Sequence, residues 1–153
     1  MFKKLLQVGA MLTIAAGLLV APATAANAGA YGCTGTDVGS WPVYDEYGTV
    51  GDIHLYYDSS TGWNCAAAVK RTSYVFYGLA THIYITINNS AYDDNHVKNN
   101  FASDSGMYKY YAGPAKVYGK GMCIWLQAGI ADVSGPNAQG NYITRYVNRV
   151  ACG

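Results

Sequence analysis

The chain has 153 residues, with ten Lys and Arg against nine Asp and Glu, a formal net charge of +1. It carries no basic cluster, so composition offers no electrostatic footprint for nucleic acid or anionic lipid. Tyrosine occurs 15 times.

The first 28 residues differ in kind from the rest. Lys3 and Lys4 give a basic start, Leu5 to Val20 is free of charge, and Ala21-Pro22-Ala23-Thr24-Ala25-Ala26-Asn27-Ala28 supplies a helix breaker and two small-x-small sites. This is the layout of a secretory signal peptide. The apolar run is shorter than the ~20 residues that span a bilayer, and no later segment is long and apolar enough to replace it. Cleavage is expected after Ala28, with Ala25 as the second choice. That leaves residues 29–153 as a single exported β domain, slightly acidic because Lys3 and Lys4 depart and no acid does.

Cys33, Cys65, Cys123 and Cys152 all lie beyond the leader. An even count in an exported chain points to two disulfides, and no two cysteines have the close spacing of a zinc site. Three pairings exist. The nested one, Cys33–Cys152 with Cys65–Cys123, is expected because it ties the chain ends together and leaves the inner pair on strand-like segments. Closing the long outer loop would stabilise the fold by ~4–5 kcal/mol in the chain-entropy model.

Hydrophobic alternation has period two almost throughout, with a helical turn considered only at 91–102. Asp45-Glu46-Tyr47-Gly48 reads as a hairpin loop between strands near 38–44 and 49–57, and Asp58 to Gly62 as the turn before Asn64–Lys70. Ile53, Leu55 and Tyr57 share one face of their strand; Ile83, Ile85 and Ile87 share one face of theirs. Further strands are predicted at 79–88, 106–112, 115–119, 122–131 and 140–150, with a break at Gly113-Pro114 and a long polar loop from Asn88 to Ser105. The result is an all-β domain, an antiparallel sandwich or small barrel of about eight strands stapled by disulfides.

Several blocks resemble a known family. They are Tyr31-Gly32-Cys33, Gly51 to Asp58 running into Thr61-Gly62-Trp63-Asn64-Cys65-Ala66, Asp104 to Pro114, Val117-Tyr118 and Cys123-Ile124. In order and in their interleaved cysteines they are similar to the streptomycete spore-associated protein family of small secreted actinobacterial proteins. Residues 71–103 depart from that pattern. The resemblance implies export and association with the spore or aerial-hypha surface. It carries no catalytic residues to transfer.

The residues themselves give little support to catalysis. Glu46 is the only glutamate and sits with Asp45 in a predicted turn, so the paired acids of a glycosidase are not suggested. Asp93-Asp94-Asn95 lacks the glycine and distal glutamate of a calcium loop. There is no Gly-x-Ser-x-Gly elbow, Gly119-Lys120-Gly121 is too short to cradle phosphate, and Asn88-Asn89-Ser90 matches the glycosylation pattern by chance. His96 falls in the polar loop without an evident partner. Asp52, His54 and His82 would form an acid–base or metal patch only if their two strands were neighbours.

The aromatic surplus is the informative feature. Alternation places His54, Tyr56, His82 and Tyr84 on outward faces, where tyrosine rings suit flat contact surfaces. These four residues are the candidate contact surface. The expectation is a secreted, non-enzymatic protein of the spore or hypha surface, without cofactor or metal. Its partner would be a surface polymer or another copy of the chain, not nucleic acid, and it would not span a membrane. The alternative is a secreted carbohydrate- or peptidoglycan-binding module.

Overall fold

A computed structural model describes residues 29–94, 98–132 and 141–153. The predicted leader, His96 and Asn95 lie outside these. Eight strands follow in order: β1 (Thr36–Asp45), β2 (Gly48–Asp58), β3 (Trp63–Lys70), β4 (Thr81–Asn89), β5 (Phe101–Tyr108), β6 (Tyr111–Tyr118), β7 (Ile124–Ala131) and β8 (Tyr142–Val150). They form two four-stranded antiparallel sheets, ordered β1-β2-β3-β6 and β5-β4-β7-β8. Two separate sheets make a sandwich, which decides between the two architectures expected.

The first turns form where their acids predict. The Asp45 carboxylate accepts from the backbone N–H of Tyr47 (2.8 Å) and Gly48 (3.1 Å). Asp58 does the same for Ser60 N–H (3.0 Å) and takes the Ser60 hydroxyl at 2.6 Å. Each carboxylate satisfies donors that a tight turn would leave orphaned.

Gly113-Pro114 does not separate two strands, contrary to expectation. The turn falls at Lys109–Tyr110, and the dipeptide lies inside β6 with a cis bond, opposite a register shift between Ala66 and Ala68. β6 is the edge of its sheet, where a missing N–H and a bulge are tolerated. Gly113, at φ 126°, donates its N–H to the Asp104 carboxylate of β5 at 2.6 Å, which draws the two edge strands together. The predicted strands 106–112 and 115–119 therefore become β5 and β6, both starting earlier. The described part of 91–102 is turn and bend until β5 begins.

The core is one cluster between the sheets. Ile83, Ile85 and Ile87 of β4 and Leu126, Ala128 and Ile130 of β7 meet Val43, Ile53, Leu55, Ala66, Ala68 and Val117 from the first sheet. Asn89 adds a polar tie across the layers: its amide donates to Tyr118 C=O at 2.6 Å. At one end of the sandwich Lys70, only 2% exposed, donates its ammonium to the carbonyls of Phe76 (3.1 Å), Leu79 (2.7 Å) and Tyr108 (3.1 Å). One cation thus braces the 71–80 segment against β5.

The disulfides join Cys33 to Cys65 and Cys123 to Cys152, correcting the nested pairing. Strand order explains why. Thr36 pairs with Tyr57 and Tyr56 pairs with Cys65, so the segment before β1 arrives over β3. Ile124 pairs with Val150, which sets Cys123 opposite Cys152. Cys65 lies on β3 of one sheet and Cys123 just before β7 of the other, and a bond between them would need that order undone. Peptide mapping of the non-reduced protein should recover these two linked pairs, with no thiol labelling in denaturant; a Cys33–Cys152 peptide would contradict the strand order.

Candidate functional site: two outer sheet faces

A sandwich has two outer faces, and the four candidate residues divide between them. His54 and Tyr56 lie on β2 in the first sheet, His82 and Tyr84 on β4 in the second. The patch of Asp52, His54 and His82 is therefore not assembled. Asp52 instead takes two 2.7 Å hydrogen bonds from Arg71. Among the described residues, no group of three His, Cys, Asp or Glu side chains gathers as a metal site would require.

The first outer face is covered. The segment before β1 lies across it, fixed by the Cys33–Cys65 bond. The Tyr31 ring sits 5.3 Å from the ring of His54 and 5.3 Å from that of Tyr111. Tyr56 points away from the core as alternation requires, yet it is only 6% exposed and packs with Cys33, Cys65 and Tyr31. Burial, followed by the nearby Asp37 and Tyr31, pushes its phenol pKa up. The expectation that Tyr56 meets solvent fails because period-two alternation assigns a face but cannot see what lies over it. His54 keeps partial exposure, with Nδ1 3.3 Å from the Asp37 carboxylate.

The second outer face is open. Here the outward residues of β4, β7 and β8 form a connected row. Gln127 Nε2 donates to the hydroxyls of Tyr84 (2.9 Å) and Tyr146 (3.0 Å). Tyr84 meets Tyr142 edge-on at 5.2 Å, and the Tyr142 hydroxyl lies 2.7 Å from His82 Nδ1. Tyr84 lies flat because its neighbour on β7 is Gly129: a Cβ there would collide with the Tyr84 ring atoms. A glycine in a strand interior weakens the strand; at this position it leaves room for the Tyr84 ring to rest over the sheet. Burial, then the adjacent Tyr84, pushes the Tyr142 pKa up, so the Tyr142 phenol stays neutral at physiological pH.

The outward positions of β4, β5 and β7, with Tyr142, Thr144 and Tyr146 of β8, contain no Asp, Glu, Lys or Arg. Of the two charges on β8, Arg145 points the other way and sits over the Tyr44 ring at 5.6 Å, and Arg149 is exposed in the bulge at the strand's far end. Alternation found His82 and Tyr84. It also held the signal for the rest, since Tyr142-Ile143-Thr144-Arg145-Tyr146 and Leu126-Gln127-Ala128-Gly129 alternate in the same way, but the strand neighbours that join them cannot be read along the chain.

A separate concavity of about 540 Å³ lies at the β5–β6 hairpin, lined in part by Asp104, Tyr108 and Lys109. Its acid is already committed, accepting from Tyr108 OH at 2.7 Å as well as from Gly113. That hydrogen bond raises the Tyr108 pKa. Asp104 here fastens the edges of the two sheets.

These features define a disulfide-stapled antiparallel β-sandwich with one outer face capped by its own N-terminal arm and the other presenting an uncharged aromatic row. Over 110 residues the chain is 34% identical to Spore-associated protein A of Streptomyces coelicolor, a match covering 72% of this chain and 62% of that protein. The chain is similar to the spore-associated protein family, in agreement with its sequence blocks. It spans less than two thirds of that relative's length. No family model and no solved structure matches it.

Proposed function

We propose that this chain is an exported, non-enzymatic protein that attaches to the spore or hypha surface through the outer face of its second sheet. The observation that carries this reading is the continuous row from Tyr146 through Gln127, Tyr84 and Tyr142 to His82. Its rings are held in place by hydrogen bonds and a glycine seat, so little side-chain freedom is lost on contact. A relative named for its association with spores supports the setting, and two disulfides suit an oxidising exterior.

The test is a double substitution, Tyr84→Ser with Tyr142→Ser. Both side chains stand outside the core, so stability should fall by at most ~1–2 kcal/mol. Spore-sedimentation assays should show attachment reduced at least about tenfold, the equivalent of ~1.4 kcal/mol of contact free energy. Undiminished attachment of the folded double variant would remove this face from the mechanism.

A further inference from the structure

We infer that the second outer face takes an uncharged polysaccharide chain. This inference rests on the reading of that face as the contact surface and names what it contacts. Three observations point to the partner's chemistry. The row itself and the outward positions of β4, β5 and β7 carry no Asp, Glu, Lys or Arg, and the exposed Arg149 lies in the bulge at the far end of β8, so the row offers little to neutralise or steer an anionic polymer. Tyr84 is laid flat on Gly129, and a flat ring complements the C–H face of a pyranose. Around it Gln127, Tyr142, Tyr146 and His82 present amide, phenol and imidazole groups, which match the hydroxyls at a sugar's edge.

The arrangement fits a second copy of the chain less well. Protein interfaces centre on apolar side chains that enter a pocket on the partner. Within the row Tyr84 and Tyr142 are half-buried and braced from the side and Tyr146 stands clear at 61% exposed, while the exposed apolar side chains of this face, Phe101 and Met107, lie apart on its edge strand β5. A low, hydrogen-bonding surface spread over three strands suits an extended chain lying along it.

The experiment uses the secreted protein and three probes: microcrystalline cellulose, chitin, and carboxymethyl cellulose as a charged counterpart. The expected result is retention on at least one uncharged polymer that changes less than about twofold between 0.05 and 1 M salt, because no ion pair contributes. Tyr84→Ser with Tyr142→Ser should lower that retention about tenfold or more. Tyr146→Ala, at an exposed position that cannot threaten folding, should lower it about threefold or more. Retention by carboxymethyl cellulose alone, abolished by salt, would overturn the inference. So would failure on all uncharged polymers while the double variant still loses spore attachment; in that event the contact face stands and its partner is of another class. Concentration-dependent dimers in sedimentation velocity, abolished by Tyr146→Ala, would assign the face to a second copy and also overturn the inference. Spore attachment indifferent to all these substitutions would remove the contact-face reading itself.

Discussion

Lys70→Met is expected to cost about 2–4 kcal/mol, because three carbonyl oxygens lose an ammonium donor inside the fold. Those carbonyls belong to Phe76, Leu79 and Tyr108, so the loss falls on the 71–80 segment and its seat on β5. Limited chymotrypsin digestion should therefore cut at Phe76 or Tyr77 sooner in the variant than in the parent. The ion also leaves a pH signature. Burial pushes the Lys70 pKa down to about 8 from its ordinary 10.5. Between those values the unfolded chain holds more protons than the folded one, so stability should rise as pH climbs through this window. Tyr74 acts in the opposite sense. Burial, then Asp132 and Asp45, pushes its phenol up to about 12. Stability present below the ordinary value of 10 should be lost as pH rises toward 12. Denaturant titrations should thus place the parent's maximum near pH 9–10, about 1–2 kcal/mol above its value at pH 7. Lys70→Met should flatten the rise and keep the alkaline fall. A parent flat from pH 7 to 9.5 would contradict the burial of this charge.

Much of the fold is legible in local chemistry. Asp45-Glu46-Tyr47-Gly48 and Asp58 to Gly62 announce their turns because an aspartate can satisfy backbone donors two and three residues on. Ile83, Ile85 and Ile87 announce a one-sided strand because period two puts them on one face. What fails is whatever depends on the order of strands in space. The nested disulfides, the adjacency of His54 and His82, and the exposure of Tyr56 each need knowledge of which strand lies beside or above another. Gly113-Pro114 shows a related limit. Proline and glycine signal a break in a central strand, but at a sheet edge the same pair makes a bulge and the strand continues.

The two outer faces show how few residues separate a sealed surface from an open one. Both faces alternate aromatic and polar side chains. Tyr31 and the Cys33–Cys65 bond fasten an arm over the first, which buries Tyr56. Over the second, no described residue performs that role, and Gly129 instead lowers Tyr84 onto the sheet. A covering arm adds burial and rigidity to one side of the sandwich. The aromatic row on the opposite side then rests on a layer fixed by the shared core.

Truncation of Ile85 should show that shared core directly. Ile85 is fully buried, faces the first sheet, and pairs with Asp104 on one side and Ala128 on the other. Ile85→Val removes one methyl group and should cost about 1 kcal/mol, whereas Ile85→Ala should cost about 3–4 kcal/mol, because close-packed sheets cannot collapse into the vacated space. Tyr84→Ser, one position along but on the opposite face, should cost no more than about 1 kcal/mol and leave the denaturant slope unchanged. Urea unfolding monitored by tyrosine and tryptophan fluorescence measures all three. The ordering Ala far above Val, with Ser lowest, is the signature of a core face at 85 and a contact face at 84. If Tyr84→Ser proved as costly as Ile85→Ala, the ring would be a structural element of the sheet, and its substitution could no longer report on attachment.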